Sequence, residues 1–220
     1  MKLNASLKTR MASISHPLFI KGQIIVQDIA SQVVSEIVAP QLNSKVLDLC
    51  SAPGGKTAHM AAIMNNTGEI YACDIYEHKL NLMKRNFKKL DVKNANLQLI
   101  DARFVKDYVK KEAFDYVLAD LPCSGLGVLG HKVDLKYNIT LDSINEIITL
   151  QQEILEASYN LVKKGGYYIM STCTINNSEN EEQIRQFLNN HPEYEIVEER
   201  KILPYEYLTD GFYICKMRRN

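Results

Sequence analysis

The sequence predicts a doubly wound α/β sheet, seven-stranded and mostly parallel. Three observations predict it. Strand-type runs alternate with helical-period runs from about residue 45 onward. The strand runs are short, apolar and rich in β-formers, as strands buried on both faces are. Acids and cysteines gather at the carboxyl ends of those runs, where such sheets bind ligands.

Taken in order, a helix over Asp28–Val38 precedes the first strand, Lys45–Cys50 (KVLDLC). A helix over Thr57–Met64 leads to the strand Glu69–Asp74, and a helix over Glu77–Leu90 leads to Asn96–Ile100. Phe114–Asp120 (FDYVLAD) is the fourth strand. The long helix Leu141–Lys163 opens on a Thr140-Leu-Asp-Ser cap signal, and its basic last turn runs into Gly165-Gly166. Gly166–Thr172 is the fifth strand, followed by a helix over Glu179–Asn190. Tyr194–Glu199 and Gly211–Met217 read as a terminal hairpin-like pair.

The chain of 220 residues and 25.1 kDa suits one domain, which buries roughly 70 % of its unfolded surface. With 46 % apolar and 24 % charged residues it is neither disordered nor low-complexity, and no apolar run is long enough to span a membrane. The N-terminus has no apolar stretch behind its basic residues, so the expected location is the cytoplasm. Net charge is zero, which excludes a generally cationic nucleic-acid coat. The charge is nonetheless segregated: residues 1–27 carry Lys2, Lys8, Arg10 and Lys21 and no acid, and Ile75–Lys93 is basic. Ser178–Glu199 is acidic. The five cysteines show neither zinc spacing nor a pairing pattern, so no metal or disulfide framework is expected. Cys50, Cys73 and Cys215 read as packing residues, although Cys50 borders the loop described next.

Asp48, Cys50, Asp74, Asp101, Asp120, Cys123 and Cys173 all fall at or just past strand ends. The first strand runs into CSAPGGKT, where Gly54 and Gly55 let the backbone approach a ligand ahead of a helix N-terminus. A phosphate-binding P-loop needs glycine where Cys50 stands, and the loop lacks G-x-G-x-x-G. That pattern occurs at Gly125, Gly127 and Gly130, but with no helix after it, and reads as chance. The remaining reading is a loop for the aminoacyl part of S-adenosylmethionine. Asp74, 20 residues past Gly54, is placed for the ribose hydroxyls, and Asp101 for the adenine amino group.

At the strand-four turn Asp120-Leu-Pro-Cys123-Ser-Gly and the strand-five turn Ser171-Thr-Cys173-Thr, the sequence closely resembles the RsmB (Sun/Fmu) family of RNA cytosine-5 methyltransferases. FIKGQIIVQDIASQ, LDLCSAPGGKT, LQQEILEASYNLVKKGG, STCTINNSENE and LPYEYLTDGFYICKMRR carry the resemblance over roughly residues 16–220. It implies a Rossmann-like class I methyltransferase over residues 27–220, behind a basic arm (1–26) read as a remnant of an RNA-binding subdomain. The family's N-terminal RNA-binding domain is taken as absent, with a separate RNA-binding protein as its stand-in.

The resemblance also implies roles. Cys173 is the nucleophile toward C6 of cytosine, a step needed because C5 alone is a poor nucleophile. Cys123 serves the release of the C5 proton and the thiol, as base or through an activated water. Asp120 hydrogen-bonds and protonates N3. S-adenosylmethionine is held by Cys50, Ser51, Ala52, Pro53, Gly54, Gly55, Lys56, Asp74, Asp101 and Asp120. Lys56 stays open between lowering a thiol pKa and holding the methionine carboxylate. Small-subunit ribosomal RNA is the expected substrate, with tRNA or a scaffold without activity as alternatives, and no metal is required. A DNA cytosine-5 enzyme would use the Pro-Cys thiol itself, so the second thiol favours RNA. Unlike the family, residues 128–134 contain no arginine, leaving His131 and Lys132 as the positive charge there.

Overall fold

A computed structural model describes residues 15–22, 24–130, 132, 134–207 and 209–220. Most of the basic arm, and His131, lie outside the described residues. Helices α1 (Pro17–Ile20) and α2 (Ile29–Val38) precede β1 (Lys45–Asp48), α3 (Gly55–Ile63), β2 (Glu69–Asp74), α4 (Glu77–Lys89), β3 (Ala95–Leu99) and β4 (Phe114–Asp120). Then come α5 (Leu135–Asn138), α6 (Leu141–Ser158), β5 (Val162–Thr172), α7 (Glu181–Asn190), β6 (Tyr194–Ile202), α8 (Pro204–Tyr207) and β7 (Phe212–Arg219). The seven strands form one sheet in the order β3-β2-β1-β4-β5-β7-β6. β1 to β5 are parallel, and β7 runs antiparallel between β5 and β6. The order reverses at the β1–β4 boundary, so the switch-point crevice opens where β1 and β4 end.

Alternation along the strands distributes the core to both faces. Leu47, Val117, Ala119, Tyr168 and Met170 pack against Ile154 and Leu155 of α6 and Phe187 of α7. Val46, Tyr116, Leu118 and Ile169 pack against Val34 and Val38 of α2 and Met60 and Met64 of α3. Each fully buried side chain of this size contributes about 1.5–3 kcal/mol. Local chemistry sets the helix ends. Asp28 caps α2, its Oδ1 accepting from the Ala30 N–H at 2.8 Å. Thr140 and Ser143 make a reciprocal capping box on α6.

One boundary departs from expectation. The helix expected to run to Lys163 stops at Ser158, and β5 begins at Val162. The Tyr168 hydroxyl meets the Ser158 hydroxyl at 2.7 Å, and the Ser158 hydroxyl donates to the Ile154 carbonyl. Val162 then pairs with Phe114, and the register jumps so that Tyr116 pairs with Tyr167. Lys163 is therefore not a helix-end charge: its ammonium meets Asp115 at 2.7 Å. Burial of Leu161 and Val162 under the sheet outweighs the helical propensity of the Lys-Lys pair. The helix expected over Glu179–Asn190 likewise starts two residues later, because 177–179 form a 3₁₀ turn.

Candidate active site

On the β1–β2 side the backbone shapes the site. After β1 the chain turns back, with the Ser51 N–H and hydroxyl both donating to the Cys73 carbonyl at 2.8 Å. The Gly54 N–H donates to Ser51 at 2.7 Å, and the Ala52–Pro53 bond is cis. Gly54 has φ 94°, and a Cβ there would lie 2.8 Å from the Phe87 ring, so only glycine fits. It opens α3 with no side-chain cap, leaving the first N–H groups of that helix without a side-chain acceptor. Asp74 is buried at the end of β2, and its Oδ1 accepts from the Tyr76 N–H at 3.0 Å. Asp101 is already committed: Arg103 donates to both its oxygens, at 2.6–3.1 Å, and holds its carboxyl below the usual range.

Asp48 is 1 % exposed; one carboxyl oxygen accepts from Thr57 at 2.7 Å, and the other is buried without a protein partner. Burial pushes its pKa up to about 7. Burial likewise raises Cys50 well above the ordinary thiol value, and raises Cys73 and Cys215 to about 12. Cys73 and Cys215 are fully buried, as packing residues should be.

On the β4–β5 side the two turns converge. The sulfurs of Cys123 and Cys173 are 3.2 Å apart. Hydrogen bonding from Cys123 lowers the pKa of Cys173, with help from the Lys56 and Lys132 charges and against burial. The same bond, and then burial, raises Cys123 well above the ordinary thiol value. Of the two thiols, Cys173 is thus the one shifted toward ionisation and Cys123 the one shifted away from it. Asp120, at the end of β4, accepts from the Lys56 ammonium at 2.7 Å and from the Ser171 hydroxyl at 2.7 Å. Burial works against the Lys56 charge, but Asp120 outweighs it and raises the ammonium's pKa.

Sequence reasoning assigned no role to the residues that hold these turns. Glu179, fully buried, accepts from the Ser124 N–H at 2.7 Å, the Ser124 hydroxyl at 2.6 Å and the Asn176 amide at 2.9 Å. Asn180 accepts from Thr172 at 2.5 Å and donates to the Thr174 carbonyl at 3.0 Å. Gln151 of α6 donates to the Pro122 carbonyl at 2.9 Å. Their only signal was membership of the STCTINNSENE and LQQEILEASYNLVKKGG strings. As a dinucleotide fingerprint the G-x-G-x-x-G match stays a chance one, with Gly130 in open space, but its first two glycines have structural roles of their own. The Gly127 N–H donates to the Cys173 carbonyl at 3.0 Å, and the Gly127 carbonyl accepts from the Gly211 N–H at 2.8 Å. A Cβ on Gly127 would strike the Gly211 carbonyl, and Gly125 has φ 71°.

Among the described residues no helix is long and apolar enough to cross a membrane, and no group of three or more His, Cys, Asp or Glu is placed to hold a metal ion. A family model described as 16S rRNA methyltransferase RsmB/F matches residues 35–218. The probable ribosomal RNA small subunit methyltransferase B of Bacillus subtilis is 37 % identical over 91 % of this chain and 49 % of its own length. The ribosomal RNA small subunit methyltransferase B of Vibrio cholerae is 38 % identical over 92 % and 48 %. This chain therefore spans about half the length of the curated relatives it matches. Among solved structures, PH0851 superposes with a TM-score of 0.91 at 36 % identity, over 93 % of this chain and 49 % of that one. NSun6 from Pyrococcus horikoshii, solved with SFG, does so with 0.87 at 30 %, over 94 % and 56 %. On the match of the family model and these identities, the chain belongs to the RsmB/F family of 16S rRNA methyltransferases.

Proposed function

We propose that residues 27–220 form an RNA methyltransferase unit, working in the cytoplasm, that methylates C5 of a cytosine in small-subunit ribosomal RNA through a Cys173–C6 adduct. The observation that carries this reading is the thiol pair: two cysteines 3.2 Å apart, with the pKa of Cys173 lowered and that of Cys123 raised. The DNA-type alternative needs the opposite polarity, with Cys123 as the thiolate.

The crevice fits S-adenosylmethionine, which supplies the methyl group when bound. The cradle at Gly54 admits no side chain, the first N–H groups of α3 have no side-chain cap, and the buried Asp74 ends β2, where a ribose-binding acid is expected. SFG, present in the NSun6 structure, is an analogue of that cofactor. Residues 50–56, Asp74 and Asp120 would hold it. Asp101 would reach the adenine amino group while still bonded to Arg103, since a carboxylate accepts more than the bonds that one guanidinium makes.

The Cys173 thiolate adds to C6, so the ring's electron pair moves toward C5 and N3. Lys56 is the proton source for N3, and Asp120 relays that proton, because the ammonium lies 2.7 Å from the carboxylate. C5 then takes the methyl group. Loss of the C5 proton re-forms the C5–C6 double bond and expels Cys173 as thiolate, and N3 returns its proton through Asp120 to Lys56, which leaves a neutral methylated base. The raised pKa of Cys123 favours this release through an activated water over direct abstraction. The target base must leave its stack to reach the crevice, which favours a single-stranded or loop cytosine.

The test is transfer from labelled S-adenosylmethionine to unmethylated ribosomal RNA. Wild type should transfer, Cys173→Ala should not, and Cys123→Ala should accumulate a denaturant-resistant protein–RNA adduct. An adduct that survives Cys173→Ala, or no transfer by wild type to any RNA offered, overturns the reading.

A further inference from the structure

The turns that carry the two thiols share one buried charge. Glu179 is fully buried, and its carboxylate accepts from the backbone and side chain of Ser124 and from Asn176, with Thr174 at 3.4 Å. Ser124 follows Cys123, Thr174 follows Cys173, and the hydroxyls of Ser124 and Thr174 meet at 2.9 Å. A buried carboxylate is tolerable only while its donors stay in place, so it enforces their arrangement. We infer that Glu179 is a positioning residue which sets the separation of Cys123 and Cys173 by clamping Ser124 to Thr174.

This rests on the reading of Cys173 as nucleophile and extends it. The bond between the sulfurs depends on a short approach, and sulfur hydrogen bonds weaken as the pair separates. Glu179→Gln is nearly isosteric but turns an amide NH₂ toward donors that need an acceptor, so the Ser124 turn must move. The Cys123 thiol then moves away from Cys173, and the Cys173 thiolate loses its main stabilising contact.

The experiment titrates Cys173 alone, without RNA or cofactor, by following iodoacetamide alkylation of its peptide by mass spectrometry across pH. Glu179→Gln should raise the alkylation midpoint by about one pH unit or more, lowering the rate at pH 7 about tenfold. Cys123→Ala should give a similar curve, and the double variant should add nothing to Cys123→Ala. A Glu179→Gln curve that overlays wild type, or a shift in the double variant equal to the sum of the two, overturns the inference. A merely structural weakening would lower the melting temperature without moving the midpoint. Should Glu179→Gln fail to fold, Ser124→Ala with Thr174→Val carries the test, and an unmoved midpoint there overturns it equally. A shifted midpoint in a protein whose wild type transfers no methyl group to any RNA offered would leave the clamp standing and the functional reading fallen.

Discussion

On the β1–β2 side of the crevice the backbone makes the shape: a glycine at φ 94° under the Phe87 ring, an uncapped helix start and a turn closed by main-chain bonds to Cys73. On the β4–β5 side, side chains make it, with Glu179, Asn180 and Gln151 pinning two turns that carry the thiols. The first design tolerates little change at one or two positions, because no side chain adopts that conformation or finds room there. The second spreads the requirement over several buried polar groups, each needing its partner. A backbone-built surface holds its shape whatever the neighbouring side chains, and a polar clamp fixes the spacing of the two sulfurs only while its partners remain.

Lys56 joins the two regions, since it starts from α3 and ends on Asp120. Lys56→Met should break the division between them most completely. Transfer should fall by about 10²- to 10⁴-fold, as for loss of a positioned proton donor. The pH midpoint of Cys173 alkylation should rise as well, because the nearby cation is gone. Unchanged alkylation with lost cofactor affinity would instead assign Lys56 to the cofactor side alone.

Asp48 tests the backbone side by pH. Its folded pKa of about 7 lies above the ordinary 3.8, so its share of stability is full below about pH 3.8 and lost as pH rises to about 7. Asp48→Asn should flatten the pH dependence of melting temperature across that window, because it removes the titrating group. A parallel pair of pH–melting curves would refute a buried, largely protonated Asp48.

Gly54→Ala should cost about 1–3 kcal/mol in stability and weaken cofactor binding. Adding Phe87→Leu should return only part of this, because the ring clash is relieved while the φ strain remains. Full recovery would mean that packing, not backbone conformation, fixes the loop. The smallest effect belongs to Arg103→Ala. The pair with Asp101 is partly exposed and screened by water, so the melting temperature should hardly move, while cofactor affinity measured by calorimetry should hold or improve. A large loss of affinity would show that Arg103 orients Asp101 rather than competing for it.

The strand spans, the glycine loop, Asp74, Asp120 and both thiol turns were legible in the sequence because local rules place them. Alternation sets strands, glycine marks positive φ, and acids at strand ends face the crevice. Three things were not legible. The end of α6 depended on Tyr168 and on the pairing of Val162 with Phe114, across a register jump that no local pattern encodes. The partners of Lys56 and Asp101 depended on which charges the fold brought within reach, 64 residues away in one case and two in the other. Glu179 looked like part of an acidic solvated run until the sheet order carried it under Ser124, 55 residues upstream. Sequence by itself determined the sheet and the glycine loop, since these follow from period and residue type, while the roles expected of the two thiols came from the family resemblance. Tertiary structure alone decided that the two thiols shift in opposite directions, Cys173 down and Cys123 up, because that depends on a 3.2 Å contact and the charges around it.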